Sequence, residues 1–387
     1  MSLPTPPLAL YVHFPWCIRK CPYCDFNSHP LRGELPEHAY VNALLRDLDY
    51  ELQSVPIPAA APPLVSIFMG GGTPSLFSAQ EIGSLLDGLS RRLAFAPDIE
   101  ITLEANPGTA EAQRFCGYRA AGINRLSLGI QSLDDAQLRR LGRIHGSAEA
   151  VQAFQMARAA GFDNINLDLM YALPQQTPQD AATDLRTLLA LAPEHVSYYQ
   201  LTLEPNTEFA LRPPPLPDED DAWAMHEQGL ALLDAAGYTQ YEISAHARPG
   251  KPSRHNVNYW MFGDYLGIGA GAHGKRTLAD GRILRRARHK HPKTYLQHAG
   301  TVAAIQEERT VAPTDLPFEF LMNALRLRDG FPIAEFTART GLAWDERIHG
   351  LREARARGLL EETPERVRAS PLGWRHLNAV LRLFLDA

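Results

Sequence analysis

Three of the four cysteines, Cys17, Cys21 and Cys24, lie close together with the spacing C-x3-C-x2-C. Three thiolates from one short loop can hold three corners of an iron-sulfur cube and leave the fourth iron without a protein ligand. Clusters that serve electron transfer usually have four cysteines instead. An open iron accepts an exogenous ligand. The spacing therefore predicts a 4Fe-4S cluster with one coordination site left for a small molecule.

Two other uses of these cysteines are ranked behind a cluster. A structural zinc ion usually takes four ligands in two separated pairs, but the remaining cysteine is Cys116, and His13 and His29 form no paired motif. A disulfide would leave one thiol over, and the first residues lack the basic and apolar segments of a signal peptide. Cys116 lies in a helix-like stretch, where a lone cysteine is usually a small apolar residue, and is assigned no role.

The elements that position the cysteines alternate between strand and helix. Apolar runs predict strands at about Ala9–Phe14, Leu64–Met69, Ile99–Leu103, Arg125–Ile130, Ile165–Met170 and His195–Leu201. Helical spacing of apolar residues predicts intervening helices at Glu37–Gln53, Ala79–Leu93, Ala110–Ala121, Ala148–Ala160 and Ala181–Leu191. This alternation indicates an α/β protein with a parallel sheet. The sheet is either an open barrel or a flat doubly wound sheet.

We also expect Phe14, Trp16, Tyr23 and Phe26 to form an apolar shell around the cysteine loop.

Polar side chains and glycines gather where these strands end. Gly70-Gly71-Gly72-Thr73-Pro74 follows the second strand and lacks the Gly-Lys-Ser/Thr of a phosphate-binding loop, but its glycines let a ligand approach the backbone closely. Glu104, Gln131 and Asp168 lie at or near the ends of three further strands. Each fits a loop-anchoring role equally well, yet three together favour a binding site at the mouth of a barrel.

The second half of the chain contains three further features. His255 lies in the stretch His255-Asn256-Val257-Asn258-Tyr259-Trp260, which we interpret as a loop. Taken alone, a histidine beside aromatic residues is usually structural. Asp280-Gly281 predicts a hairpin turn, and the eight Lys and Arg residues between Lys275 and Lys293 are expected to be solvated, or else to form a patch for an anionic group. From about Pro313 we expect helices at Phe318–Leu327, Ile333–Thr340 and Glu346–Leu360, a wing-like strand at Val367–Ala369 and a closing helix at Trp374–Leu385.

Composition restricts the classes of partner. The 387 residues have a formal net charge of -6, which does not favour nucleic acid, and 45% are hydrophobic, as in an ordinary globular protein. No long uncharged apolar segment suits a membrane span. Clustered free thiols indicate a reducing compartment. We expect a cytoplasmic protein whose contact with the inner membrane, if any, is peripheral.

The motifs together resemble those of a known superfamily. C-x3-C-x2-C after Tyr11-Val12-His13-Phe14-Pro15, followed by Gly70-Gly71-Gly72-Thr73-Pro74, is similar to the radical S-adenosylmethionine (SAM) superfamily, in the branch that contains the anaerobic coproporphyrinogen III dehydrogenases (HemN) and the heme chaperones (HemW). In that superfamily the free iron binds SAM, and one electron from the cluster cleaves SAM to a 5'-deoxyadenosyl radical. The resemblance implies a partial (β/α)6 barrel over residues 1–312, with an extension at about 240–312, and a winged-helix-like domain over residues 313–387.

The resemblance also implies the site residues. Cys17, Cys21 and Cys24 would bind the cluster. The positions that match residues around SAM in HemN-type enzymes are Tyr11, Gly71, Gly72, Thr73, Glu104, Gln131, Arg143 and Asp168, with Tyr23 as a further contact. No residue is assigned a catalytic role.

Two positions favour the chaperones over the dehydrogenases. The dehydrogenases continue the motif as C-x3-C-x2-C-x-C and carry a longer segment before the first strand, whereas this chain has Phe26 at the last position and about eight residues before the strand. The chaperones carry H-N-x-x-Y-W, which His255–Trp260 match completely. The resemblance therefore implies a chaperone that binds heme at His255 and delivers it to an acceptor hemoprotein, plausibly a respiratory enzyme. The alternative is an oxygen-independent coproporphyrinogen III dehydrogenase that uses the adenosyl radical. The sequence leaves open whether SAM is cleaved during transfer, which protein accepts heme, whether heme is held covalently, and whether the chain forms a homodimer.

Overall fold

The computed structural model describes residues 5–58, 61–108 and 113–385. Its largest element is a twelve-stranded sheet. The strands of the chain are β1 (Leu8–Phe14), β2 (Trp16–Cys17), β3 (His29–Pro30), β4 (Leu64–Gly71), β5 (Phe95–Ala105), β6 (Arg125–Gln131), β7 (Ile165–Tyr171), β8 (His195–Gln200), β9 (Thr239–Gln240), β10 (Ala245–Ala247), β11 (Asp264–Ile268), β12 (His273–Thr277), β13 (Ile283–Arg288), β14 (Ile305–Thr310), β15 (Phe331–Pro332), β16 (Leu360–Glu362) and β17 (Arg366–Ala369).

Six parallel strands form the centre of this sheet, in the order β1-β4-β5-β6-β7-β8. These are the six strands predicted from the sequence. On one side β1 pairs in parallel with β11, which is followed by the antiparallel strands β12, β13 and β14; on the other side β8 pairs with β10. Within the described residues β1 and β8 do not pair with each other, so the barrel is open and the prediction of a partial (β/α)6 barrel is confirmed.

The longer helices between the parallel strands pack on the outside of the sheet, and those after residue 313 belong to the last segment. The helices of the described residues are α1 (Glu37–Ser54), α2 (Ala79–Ser90), α3 (Phe115–Ala121), α4 (Asp135–Arg140), α5 (Ser147–Ala159), α6 (Pro178–Ala190), α7 (Glu208–Leu211), α8 (Glu219–Ala235), α9 (Arg254–Trp260), α10 (Pro292–His298), α11 (Leu316–Ala324), α12 (Ile333–Thr340), α13 (Leu351–Ala356), α14 (Pro371–Arg375) and α15 (Leu377–Arg382). The predicted helices between the six strands are present, although the start of the one predicted at Ala110–Ala121 lies outside the described residues. The short α4 was not predicted.

Alternation along the strands separates a polar interior from an apolar exterior. Ser127, Gly129 and Gln131 of β6 line a cavity inside the barrel. The residues between them, Leu126, Leu128 and Ile130, are fully buried in the layer between sheet and helices. Because successive side chains of a strand point to opposite faces, one run of sequence supplies both the core and the lining of the cavity.

The basic hairpin is only partly solvated, contrary to the expectation from its composition. The turn at Asp280-Gly281 forms between β12 and β13 as predicted, with Gly281 at φ 85°. However, Lys275 is 1% exposed and pairs with Asp264 at 2.8 Å. Arg288 is equally buried and binds Asp47 and Glu51 of α1. Strand β11 and helix α1 supply these partners, and α1 lies more than two hundred residues earlier in the chain, so no local pattern could show that the charge of Arg288 is neutralised.

The last segment has its own apolar cluster. Phe320, Phe331, Phe336 and Val367 are fully buried there, and Phe262 from the end of α9 joins them. The order of three helices, a β16–β17 hairpin and closing helices is that of a winged helix. The helix predicted at Glu346–Leu360 is shorter, Leu351–Ala356, and the predicted last helix is divided into α14 and α15. The domain boundary near residue 312 stays a prediction.

No helix in the described parts of the chain is long and apolar enough to cross a bilayer.

Candidate cofactor site at the carboxyl end of the barrel

A cavity of about 450 Å³ lies inside the barrel, where the parallel strands end. Parallel barrels place their sites at this end because the loops that follow the strands meet there. The sequence-predicted site residues that line the cavity are Cys17, Cys21, Tyr23, Cys24, Gly71, Gly72, Thr73, Glu104, Gln131, Arg143 and Asp168. Tyr11 and His255 do not line it.

The three clustered cysteines are free thiols on one wall of this cavity, each with a polar neighbour. Cys17 Sγ accepts a hydrogen bond from Thr73 Oγ1 at 3.4 Å, and Arg143 Nη1 donates to Cys21 Sγ at 3.5 Å. Cys24 Sγ lies 3.6 Å from Ser28 Oγ. Within the described residues, no three His, Cys, Asp or Glu side chains are grouped closely enough to hold a single metal ion. Donors aimed at thiolate sulfurs are typical of iron-sulfur sites, so this wall fits a cluster held by three thiolates.

The apolar shell predicted around the cysteine loop is wrong in part. Phe14 and Trp16 turn away from the cavity into the main core, where their rings contact Phe77 and Tyr40 at centroid distances of 4.8 Å. Tyr23 and Phe26 do line the cavity, although 59% of Phe26 is exposed at its mouth. The reason is that β1 continues the sheet up to Phe14, so alternate side chains there belong to the core.

The glycine triplet allows three close approaches. A Cβ at Gly71 would lie 2.3 Å from the His13 ring, and one at Gly72 would lie 2.6 Å from the Trp16 carbonyl oxygen. Gly71 also has φ 108°, which side chains with a Cβ rarely adopt. Its N–H donates to Glu104 Oε2 at 3.1 Å. The triplet therefore fixes Glu104 from one side and leaves backbone exposed to the cavity.

Two carboxyl groups, that of Glu104 on β5 and that of Asp168 on β7, face the cavity. Burial, followed by the negative charge of Asp168, raises the pKa of Glu104 to about 7. Burial likewise raises the pKa of Asp168, and hydrogen bonds from Asn166 and Ser197 oppose this rise. Asn166 Nδ2 donates to Asp168 Oδ1 at 2.8 Å. Carboxyl groups with raised pKa values are prepared to pair with a cationic ligand, because its charge offsets the cost of their ionisation.

Arg143 and Gln131 are held in defined positions. Arg143 follows α4 in a turn, and its Nη2 donates to Asn106 Oδ1 and to the Gly129 carbonyl, both at 2.7 Å. Gln131 has a left-handed backbone, φ 72°, and accepts a hydrogen bond from Tyr199 Oη at 2.7 Å. A strained backbone held by a specific partner is typical of functional sites.

Tyr11 is connected to the cysteine loop by hydrogen bonds through His13. Its hydroxyl donates to His13 Nδ1 at 3.0 Å, and His13 Nε2 donates to the Asn27 carbonyl at 2.8 Å. Burial lowers the pKa of His13 to about 4, so the imidazole is neutral and can accept and donate at once. Asn27 Nδ2 in turn donates to the carbonyls of Ala270 and Lys290. This relay orients the loop that carries Cys24.

His255 lies at the opposite, amino-terminal end of the barrel, on a helix rather than on the predicted loop. It is 1% exposed, with Nδ1 3.0 Å from Ser66 Oγ and its ring stacked on Phe68. Glu100 accepts hydrogen bonds from the N–H groups of Arg254 and His255 at 3.2 Å, which fixes the start of α9. Burial lowers the pKa of His255 to about 3, so the imidazole is neutral; its Nε2 has no hydrogen-bond partner within the described residues.

The sequence did not identify two groups in the cavity. Asn106 links Thr73 and Arg143, since its Nδ2 donates to Thr73 Oγ1 at 2.9 Å. Its position in the sequence, two residues after Glu104, is the signal that could have identified Asn106 as a residue of the site. Arg125, Asn166 and His195 form the buried floor of the cavity. Nothing local distinguishes them, because each begins or nearly begins a strand that also supplies core residues.

Comparison with known proteins agrees with this geometry. Residues 11–188 match the model of the radical SAM superfamily, and residues 311–376 match that of the HemN C-terminal domain. The heme chaperone HemW of Escherichia coli is 51% identical over 380 residues, and that of Haemophilus influenzae is 50% identical; each match covers 98% of both chains.

A solved structure confirms the fold. The coproporphyrinogen III oxidase HemN of Escherichia coli, a radical SAM enzyme, superimposes with a TM-score of 0.82 over 98% of this chain and 90% of that one, at 23% identity. Membership of the superfamily supplies a 4Fe-4S cluster and SAM as cofactors, in agreement with the cavity wall of three thiols. The chain belongs to the radical SAM superfamily and, within it, to the HemW family.

Proposed function

We propose that this chain is a heme chaperone, which binds heme and a SAM-liganded 4Fe-4S cluster and transfers the heme to an acceptor hemoprotein such as a respiratory enzyme. The observation that carries this proposal is the 51% identity with a protein named heme chaperone HemW over 98% of both chains. The complete H-N-x-x-Y-W motif at His255–Trp260 supports it.

In the proposed arrangement Cys17, Cys21 and Cys24 bind three irons of the cluster, and the fourth iron binds SAM. When bound, this pair can supply an electron to the sulfonium and generate an organic radical. The chain's own groups hold the pair: Thr73 and Arg143 donate to two of the thiols, and the backbone of Gly71 and Gly72 lies against the ligand. Tyr11 orients the loop through His13.

Glu104 is proposed to bind the cationic SAM molecule, which makes binding depend on pH. Its pKa in the ligand-free protein is about 7, above the ordinary value of 4.5, so the folded chain retains a proton that the unfolded chain loses between these values. Ionisation of Glu104 thus lowers the free energy of unfolding as pH rises through this window, and the positive charge of bound SAM offsets that cost. We expect SAM affinity to increase from about pH 6 to pH 8 as the carboxyl ionises.

Glu104→Gln tests this assignment. The variant should bind SAM about tenfold or more weakly at pH 8, because a hydrogen bond to a charged group is lost, and should lose the rise with pH. Isothermal titration of the reconstituted protein with SAM measures both effects. Glu204→Gln, at another glutamate that lines the cavity, is the matched control. Unchanged affinity and an unchanged pH profile in Glu104→Gln would remove Glu104 from the SAM site.

His255 stays a prediction as a heme ligand. Its neutral imidazole with an unpartnered Nε2 suits iron chemically. However, the ring is enclosed by Ser66, Phe68 and Tyr259. Heme could reach this nitrogen only if α9 moved away from the barrel, which would break the hydrogen bonds to Glu100 and Ser66.

Heme titration tests the function itself. Anaerobically reconstituted protein is titrated with heme and followed by the Soret band, and the complex is then mixed with an apo-hemoprotein to measure transfer. Stoichiometric binding and transfer faster than heme release to buffer are expected. Weak, non-saturating binding would contradict the proposal.

The alternative, oxidative decarboxylation of coproporphyrinogen, is tested on the same preparation. Incubation with coproporphyrinogen III, SAM and a reductant should give no protoporphyrinogen. Formation of that product would show that a heme chaperone is not a complete account of the protein.

A further inference from the structure

A second large cleft lies at the amino-terminal end of the barrel, on the outer side of α9. Its volume is about 680 Å³, within the range of small-molecule sites. Its walls are mostly apolar and come from the barrel, from α9 and from α12 of the C-terminal segment. The apolar lining residues are Pro7, Val65, Ala96, Pro252, Val257 and Met261.

Helix α9 presents different faces to the barrel and to this cleft. Arg254, Val257, Asn258 and Met261 line the cleft and are spaced i, i+3, i+4 and i+7, which places them on one face of the helix. His255 and Tyr259 are spaced i and i+4, and Tyr259 contacts the ring of His255, which packs on Phe68 of the barrel. The H-N-x-x-Y-W motif thus anchors the helix on one side while the helix forms a ligand-sized wall on the other.

Two arginines border the cleft from different elements. Arg339 of α12 is 8% exposed and pairs with Glu335, but its Nε has no hydrogen-bond partner within the described residues. Arg254 of α9 pairs with Asp98, and both side chains are half exposed or more. Asp98 and Glu335 also line the cleft, so an anionic ligand group would share the two guanidinium groups with these carboxylates.

Met261 supplies the one soft donor among the residues that line this cleft. It ends α9 and is partly exposed, one turn after Val257. A thioether can ligate heme iron, as Met does together with His in cytochromes c. An apolar cleft with a thioether on one wall and guanidinium groups at its border is complementary to a flat macrocycle with a central iron and two carboxylates.

We propose that heme binds in this cleft, with Met261 as an axial ligand of the iron and with Arg254 and Arg339 pairing with the propionates. This inference rests on the proposed function, because heme is the ligand that it places. It assigns His255 the role of a positioning residue, which holds α9 against Ser66 and Phe68, and it gives the C-terminal segment a direct part in binding through α12.

The test uses the full reconstituted chain and heme itself as the probe. Met261→Leu keeps the apolar volume and should weaken heme binding about tenfold or more, since a ligand bond to iron is lost, and remove the charge-transfer absorption of a thioether-ligated ferric heme. Met322→Leu, at an exposed methionine of α11, is the matched control. Val257→Trp, which fills the cleft, should also weaken binding.

A second arm tests the arginines. Heme dimethyl ester, which has no propionate charge, should bind wild-type protein more weakly than heme does, and Arg254→Gln with Arg339→Gln should remove this difference. Thermal melts of each variant establish that it is folded.

The outcomes separate the site from the function. If wild-type protein binds heme but Met261→Leu and Val257→Trp bind it equally well, the cleft is not the heme site and the proposed function stands. Binding abolished in folded His255→Ala, with Met261→Leu unaffected, would place heme at the imidazole instead. If wild-type protein does not bind heme at all, the proposed function fails and this inference fails with it.

Discussion

Cys24→Ala is expected to abolish the iron-sulfur cluster while Cys116→Ala leaves it intact. Iron content after anaerobic reconstitution should fall from about four atoms per chain to near zero, because a cube held by two thiolates has two irons without protein ligands. Sulfide content and the broad visible absorption of the cluster should fall in parallel. The pair is matched, since both changes remove a single free thiol, one partly buried beside Ser28 and one exposed on α3.

Circular dichroism distinguishes loss of the cluster from loss of the fold. The Cys24 variant should retain the secondary structure of the wild-type apoprotein, because Cys24 Sγ makes a weak contact with Ser28. Full iron and sulfide content in Cys24→Ala, or loss of both in Cys116→Ala, would overturn the assignment of the ligands.

Arg288→Met is expected to lower the free energy of unfolding by about 3–5 kcal/mol, the usual cost of removing one partner from a buried ion pair. Arg288 is 1% exposed, and it binds Asp47 at 2.8 Å and Glu51 at 2.6 Å. Asp47 is fully buried, and without the guanidinium its carboxylate would remain in a site whose burial already raises its pKa. Urea unfolding of the apoprotein measures the change.

Arg282→Met is the control for this prediction. Arg282 lies six residues earlier, at the exposed end of the same hairpin, where it pairs with Asp280 and more than half of each side chain is exposed. Exposed pairs contribute about 0–1 kcal/mol, so this variant should unfold near the wild-type urea concentration. Equal effects in the two variants would show that the buried network of Asp47, Glu51 and Arg288 does not stabilise the fold.

The barrel and most of its site could be predicted because their signals are local. The parallel strands carry apolar residues at consecutive or alternating positions, and β4, β5 and β6 end at or near the glycine, glutamate and glutamine that line the cavity. Glu104 and Gln131 were found because a polar residue interrupts an apolar run at its end. The same rule holds for Asp168, although the structure continues β7 to Tyr171.

The rest depends on contacts between distant segments. The basic residues of the hairpin were expected to be solvated because their partners, Asp47 and Glu51, lie more than two hundred residues away. His255–Trp260 were expected to form a loop because the helix they form is short and its start is fixed by Glu100, on another strand. Arg143 could be assigned only through the resemblance, because its partners Cys21 and Asn106 are brought to it by the barrel.

The hydrogen bonds of Asn27 to distant residues determine when, during synthesis, the cysteine loop can reach its final conformation. Its amide donates to the carbonyls of Ala270 and Lys290, which lie 243 and 263 residues later in the chain, and β1 itself pairs with β11. During synthesis the cysteines leave the ribosome long before these partners exist. The loop can therefore complete its geometry only after residue 290 has emerged, so the three cysteines reach their final arrangement late in the synthesis of the barrel.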